Sequence, residues 1–209
     1  MKKYILIFLS CLFIPFSVNA TSVVMDMDSK RVLSGSSENE TKLIASTTKI
    51  LTAMVVINNT DIKNIVTVDE NVLKSFGSGI YIEIGEKISV EDLLYGLLLR
   101  SGNDAAIALA CYVGGSMEGF SILMNSLASS IGMTNSNFIN ASGLENEKGD
   151  GNTSTAKDMA ILMSYAMQNE IFKRITSTKH HIVKTNYKTY DWYNKNKLLS
   201  MYKYTTGGK

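Results

Sequence analysis

The sequence predicts a mixed α/β chain of the α+β kind: an antiparallel sheet with flanking helices and an inserted helical subdomain. Two observations carry this. Short β-type runs lie near both ends, at 22–27, 31–34, 180–184 and 188–193. Between them, apolar residues recur at helical spacing. Strands gathered at the ends and helices in the middle imply a sheet whose partners are distant in sequence, with the helices packed against it.

The first twenty residues read as a secretory signal peptide rather than as part of the fold. Lys2 and Lys3 form a positive start, and Tyr4 to Phe16 is apolar but short, broken by Ser10 and Pro15. Val18-Asn19-Ala20 reads as a cleavage site with small residues at the two selected positions. The segment is too short for a membrane span. An exported, extracytoplasmic chain is therefore expected. Cys11 follows Ser10, with Phe8 where a lipoprotein signal needs an aliphatic residue, so a lipid anchor is not expected.

Removing residues 1–20 takes away two lysines and no acid, so the formal charge of +2 falls to zero. A neutral chain argues against nucleic acid as a partner, because phosphate binding needs clustered excess base. One cysteine then remains, Cys111, in the apolar run 105–111. It reads as small core filler, and no internal disulfide is available. Residues 21–209 are enough for one large domain or two small ones, with no proline-rich linker, repeat or low-complexity tract.

Asp28-Ser29-Lys30 separates the first two runs as a hairpin turn. Ala45 to Asn59 reads as a helix with an apolar stripe of Ile50, Leu51, Met54, Val55 and Ile57. Ser46 falls in its first turn, where the helix dipole favours a negative oxygen. Ser89 reads as the cap of a helix carrying Leu93, Leu94, Leu97 and Leu98, with Asp92 in a capping-box position. Ser101-Gly102-Asn103 interrupts the pattern before it resumes at Ala105. A turn between two helices would push Ser101 and Asn103 into a cleft. Ser116 opens the next helix, stopped by Gly132, and Thr155 to Gln168 forms another. After Ile171 the pattern changes towards strands. His180 and His181 are adjacent, so they face opposite sides of a strand, and neither has a metal partner at useful spacing. Tyr187, Tyr190, Trp192 and Tyr193 read as strand packing.

The chemistry lies in two short motifs. Ser46-Thr47-Thr48-Lys49 is followed 55 residues later by Ser101-Gly102-Asn103. Residues three apart are neighbours on a helix, so Ser46 and Lys49 share a face. A lysine beside a serine can take its proton and make it a nucleophile without a histidine. Ser-x-x-Lys also occurs at Ser154 and Ser200, and Ser-x-Asn at Ser17 and Ser37, but only Ser46 and Ser101 stand in the required order. Ser-x-x-Lys, Ser-x-Asn and Lys-Thr-Gly together mark penicillin-binding proteins and class A β-lactamases. The chain ends at Gly207-Gly208-Lys209, so Lys209 is expected to be the first residue of the third motif.

Residues 45–54 and 98–106 closely resemble the first two motif segments of the low-molecular-mass penicillin-binding proteins, the serine-type D-alanyl-D-alanine carboxypeptidases of peptidase family S11. Phe138, Asn140, Gly143 and Leu144 fit the family's F-x-N-x-x-G-L stretch, and 154–160 fits the segment after it. The resemblance runs from about Thr21 to Lys209. It implies a β-lactamase/transpeptidase-like fold, with the active site between sheet and helical subdomain and the C-terminal strands missing from this chain.

The resemblance also implies roles. Ser46 is the nucleophile on the peptide bond between two D-alanines, and Lys49 is the general base. That requires Lys49 to be neutral near pH 7, well below the ordinary lysine value of about 10.4. Desolvation and a nearby positive charge are expected to lower it. Ser101 relays the proton to the leaving amine, Asn103 orients Lys49 and the substrate amide, and Lys209 attracts the substrate's terminal carboxylate. The substrate is the peptidoglycan stem peptide ending in D-Ala-D-Ala, and β-lactams are covalent inhibitors. No metal or cofactor is needed. One oxyanion donor is the Ser46 N–H. In the family the other follows Lys-Thr-Gly, so the 209-residue chain alone is expected to be inactive or poorly folded. A C-terminal membrane anchor, which the family often carries, would lie beyond Lys209. Two alternatives are a class A-like β-lactamase and a non-catalytic cell-wall-binding domain. Glu145 and Glu147 lack the Glu-x-x-x-Asn context of the β-lactamase, and Gly102 in the second motif leans towards the carboxypeptidase.

Overall fold

The structure is a computed structural model that describes residues 20–207. Residues 1–19, nearly all of the expected signal, and Lys209 lie outside the described residues.

The chain opens with strands β1 (Ser22–Met25) and β2 (Val32–Ser36), an antiparallel hairpin. Asp26 shapes its turn, accepting from the Ser29 N–H at 2.9 Å and from the Ser29 hydroxyl. Strand β3 (Lys42–Leu43) leads into a 3-10 turn, Ala45–Thr48, continuous with helix α1 (Lys49–Asn59). Next come β4 (Ile65–Thr67), a 3-10 turn at Glu70–Lys74, and β5 (Lys87–Ser89). Helices α2 (Val90–Leu99), α3 (Asn103–Gly114) and α4 (Met117–Ser130) follow. The chain then passes through β6 (Thr153–Ser154), α5 (Ala156–Ala166), α6 (Glu170–Ser177), β7 (His180–Lys184), β8 (Thr189–Tyr193) and the short α7 (Leu198–Met201).

Three helix starts are set by hydroxyl caps, the one at Ser89 as expected. Ser89, Ser116 and Thr155 accept from the N–H groups of Asp92, Gly119 and Asp158. Each satisfies one donor that the first turn leaves unpaired. Asp92 does not complete a reciprocal capping box. Its carboxylate instead accepts from the Ser89 hydroxyl at 2.6 Å and pairs with His181 Nε2 at 2.9 Å.

Helix α1 is the centre of the molecule. It packs against α2, α3, α4, α5 and α6, and every residue from Lys49 to Val56 is buried. A helix enclosed on all sides must be apolar nearly all round, and α1 is, with Lys49 and Thr52 as its polar insertions. Leu51, Leu93, Leu97, Leu109, Phe120 and Phe172 fill the space around it.

Two expectations change. The sheet is divided among the described residues into four two-stranded antiparallel ribbons: β1–β2, β3–β6, β4–β5 and β7–β8. Only β3–β6 spans a large sequence distance, pairing Lys42 with Ser154 and Leu43 with Thr153. Residues 170–177, for which the sequence suggested no element, form α6. Its cap is Asn169, whose side chain accepts from the Ile171 and Phe172 N–H groups at 3.0 Å. Two turns carrying Ile171, Phe172 and Ile175 are too short to show a period clearly.

Among the described residues no single helix is long and apolar enough to cross a membrane. Cys111 is half-buried rather than a core residue, at one end of a small cavity between β4 and α3. Burial raises its thiol pKa above the ordinary value, with Asp69 adding to the effect.

Candidate active site

The first turn of α1 sets the site. Ser46 is half-buried in the 3-10 turn, while Lys49 is fully enclosed. An enclosed ammonium or amine needs hydrogen-bond partners, since leaving a buried polar group unpaired costs about 1–3 kcal/mol or more. Lys49 Nζ has them. It lies 3.4 Å from Ser46 Oγ, 2.7 Å from Asn103 Oδ1 and 2.6 Å from the Ser142 carbonyl oxygen.

These three partners differ in one respect. The Ser142 carbonyl can only accept. Asn103 presents its oxygen, because its Nδ2 is committed to the Phe76 carbonyl at 2.6 Å. Ser46, a hydroxyl, can accept or donate. When Lys49 is a neutral amine, Asn103 and Ser142 can each accept one of its N–H groups, with the Ser46 hydroxyl beside it. Such an arrangement can pass a proton from Ser46 to Lys49.

Asn103 is the first residue of α3. Its N–H donates to the Ser78 carbonyl at 2.8 Å, so the loop 76–78 holds it from both ends. The next residue, Asp104, receives the N–H groups of Ile80, Tyr81 and Ile82 and fixes the adjoining stretch of the same loop.

Ser101 reaches the site through the backbone. It sits in the turn between α2 and α3, half-buried, with a left-handed φ of 63°. Ala45, immediately before Ser46, is also left-handed, at 45°. Non-glycine residues held there cost about 1–2 kcal/mol each, so the surrounding structure must impose the shape. Among the described residues the Ser101 hydroxyl makes no hydrogen bond to a protein group. It lines a cavity of about 330 Å³ together with Leu98, Asn194, Lys195 and Asn196. The chain leaving β8 supplies the far wall, fixed by the Lys195 N–H on the Leu99 carbonyl at 3.2 Å. A larger cavity of about 590 Å³, between β1 and α5, is lined by Met25, Met27, Met159 and Met163 and contains none of the motif residues.

The F-x-N-x-x-G-L stretch forms the loop that docks along α1. Three successive residues meet one face of the helix. Thr52 Oγ1 donates to the Ala141 carbonyl at 2.7 Å, Lys49 to Ser142, and Gly143 packs on the Ala45 carbonyl. Asn140 Oδ1 holds the turn, accepting from the N–H groups of Ser142 at 3.1 Å and Gly143 at 2.7 Å.

The structure thus joins Ser46, Lys49 and Asn103 directly and sets Ser101 in the adjoining turn. Lys209 lies outside the described residues. Glu145 and Glu147 stand exposed on the surface. Ser154, the alternative motif serine, is buried and bonded to Ser136 Oγ at 2.7 Å. His180 and His181 pair with Asp191 and Asp92 on opposite faces of β7. The Ser142 carbonyl and Lys195 were not found from sequence. A backbone carbonyl carries no residue-type signal, and Lys195 is one of several lysines in its stretch.

Comparison with known proteins agrees with this geometry. Residues 15–209 match peptidase family S11, D-alanyl-D-alanine carboxypeptidase. D-alanyl-D-alanine carboxypeptidase DacF of Bacillus subtilis is 33% identical over 195 residues, covering 90% of this chain and 49% of that protein. The chain therefore spans about half the length of that relative. DacB2 of Mycobacterium tuberculosis is 33% identical over 94% of this chain and 67% of its own length. A crystal structure of D-alanyl-D-alanine carboxypeptidase from M. tuberculosis superimposes with a TM-score of 0.86 at 31% identity, over 93% of this chain and 73% of that one. A mutant of the Streptomyces K15 DD-transpeptidase gives 0.85 at 31% identity, over 93% and 81%. With both motifs in place in the matching fold, the chain belongs to the S11 family of serine-type D-alanyl-D-alanine carboxypeptidases.

Proposed function

We propose that this protein is a serine D-alanyl-D-alanine carboxypeptidase that removes the terminal D-alanine from peptidoglycan stem peptides through an acyl-enzyme on Ser46. The observation that carries the proposal is the setting of Lys49, fully enclosed, with Asn103 Oδ1 and the Ser142 carbonyl as acceptors and the Ser46 hydroxyl 3.4 Å away. Ser46 Oγ attacks the carbonyl between the two D-alanines while its proton passes to Lys49 Nζ. The C–N bond breaks, and the amine of the departing D-alanine takes a proton through Ser101. Water then attacks the Ser46 ester, returning the hydroxyl and releasing the shortened peptide. β-Lactams would acylate Ser46 by the same first step.

We place the carboxylate of the terminal D-alanine in the cavity beside Ser101, where Lys195 is a wall residue. The leaving group then sits next to the hydroxyl that protonates it. Export to the extracytoplasmic side, the compartment of this substrate, fits the N-terminal sequence.

The test uses protein expressed from its full reading frame. Fluorescent penicillin should form a stable adduct that Ser46→Ala abolishes, and a D-Ala-D-Ala peptide should release D-alanine. Rapid turnover of the penicillin would favour a β-lactamase. Absence of both adduct and turnover would leave a wall-binding domain.

A further inference from the structure

We propose that Asn152 is a positioning residue for acyl transfer: it locks the loop carrying the Ser142 carbonyl to the helix carrying Lys49. The inference rests on the acyl-transfer reading above. Asn152 precedes β6 and is 1% exposed. Its side-chain oxygen accepts from the N–H groups of Ile139 at 2.7 Å and Asn140 at 3.1 Å. Its Nδ2 donates to the Asn140 carbonyl at 2.8 Å and to Thr48 Oγ1 at 2.9 Å. A primary amide offers two donors and an oxygen with two lone pairs, so its whole capacity is used.

The first three bonds fix the backbone just before Ser142. The fourth reaches the hydroxyl of the residue immediately before Lys49. The Asn152 carbonyl also accepts from the Ile44 N–H at 3.1 Å, on the segment leading into Ser46. Asn152 is therefore tied to both sides of the Lys49–Ser142 contact, and sliding one side past the other breaks one of its bonds. If Ser142 withdraws, Lys49 loses that acceptor and is no longer held in the same aim at Ser46. The effect on catalysis is indirect: Asn152 acts on the direction of the proton transfer without touching substrate.

The test is the second-order rate of acylation by benzylpenicillin as a function of pH, on protein from the full reading frame. Asn152→Asp keeps the two accepted bonds and removes the two donated ones. Thr48→Val removes only the hydroxyl at the end of the 3-10 turn, immediately before Lys49, and leaves the Asn152 bonds to the loop intact. Acylation per folded molecule should fall about a hundredfold in Asn152→Asp and about tenfold in Thr48→Val, the scale expected when a reacting group is misplaced by an ångström or less. The penicillin dissociation constant before acylation should stay unchanged. The acid limb of the profile should move to higher pH in Asn152→Asp, because a nearby carboxylate helps Lys49 keep its proton. Should Asn152→Asp fail to fold, Thr48→Val decides. Lower melting temperatures with wild-type rates and pH profiles per folded molecule overturn this inference and leave the acyl-transfer reading standing. Absence of acylation in the unsubstituted protein overturns both.

Discussion

A β-carbon on Gly143 would lie 1.8 Å from the carbonyl oxygen of Ala45, the residue before Ser46. Gly143 also has a left-handed φ of 82°. Close approach and backbone shape both demand glycine here. Gly143→Ala must push the loop away from the first turn of α1 and carry the Ser142 carbonyl with it. Penicillin acylation should drop by about a hundredfold or more. Stopped-flow labelling reads this directly, and an unchanged rate would show that the loop does not hold the base.

Asp104 gathers the N–H groups of Ile80, Tyr81 and Ile82 with one carboxylate. Asp104→Ala leaves them without an acceptor, at about 1–3 kcal/mol for each that water cannot reach. The melting temperature should fall, and hydrogen exchange should accelerate at residues 80–82 ahead of the rest of the chain. Uniform acceleration would argue against a local role.

Lys195 and Ser101 line the same cavity. Lys195→Ala should raise KM for a D-Ala-D-Ala peptide about tenfold, the scale of one lost charged contact, with a smaller change in kcat. Capping the peptide's terminal carboxylate as an amide should erase the difference between variant and parent. A persistent difference would place the carboxylate elsewhere.

The Tyr190 hydroxyl donates to the buried Glu86 carboxylate, 2.8 Å from one oxygen and 2.9 Å from the other. Burial, reinforced by this carboxylate, raises the phenol well above its ordinary value. A raised value contributes stability that is complete below the unfolded phenol's pKa of about 10 and is lost as pH rises past it. Unfolding free energy should therefore decline above about pH 10, and Tyr190→Phe should flatten that decline. The same substitution should lower stability at neutral pH, because Glu86 loses a donor. Parallel pH curves for the two proteins would count against this account.

Cys111 makes a simpler test. Its thiol is raised mainly by burial, and the thiolate is the reactive form. Alkylation by iodoacetamide at pH 8 should be slower than for free cysteine, with the gap closing as pH rises. Equal rates at pH 8 would mean the thiol is not held in the cavity wall.

What could be read from sequence was whatever depends on neighbours in sequence. Ser46 and Lys49 share a helix face, Ser89 caps a helix, Ser116 and Thr155 stand at helix starts, and Ser101 and Asn103 break one helix and begin the next. Each follows from spacing of three or four residues or from turn chemistry. Asn152 and the Ser142 carbonyl were invisible for the opposite reason. Their partners lie 104 and 93 positions away, and nothing local in the chain marks a distant contact. The division of the sheet into ribbons was equally hidden, since β-type runs announce strands but not which strands pair. Helix α6 was missed because two turns give periodicity too little length to show.

Lys49 draws acceptors from Asn103, 54 residues away, and Ser142, 93 residues away. Local folding of α1 brings Ser46 and Lys49 together but supplies neither acceptor. In an unfolded or half-folded chain Ser46 is therefore an ordinary primary alcohol. Contacts this distant close late, after shorter loops have formed. During refolding, helical signal should recover first and penicillin reactivity last, so the amplitude of covalent labelling counts only molecules that have completed their topology.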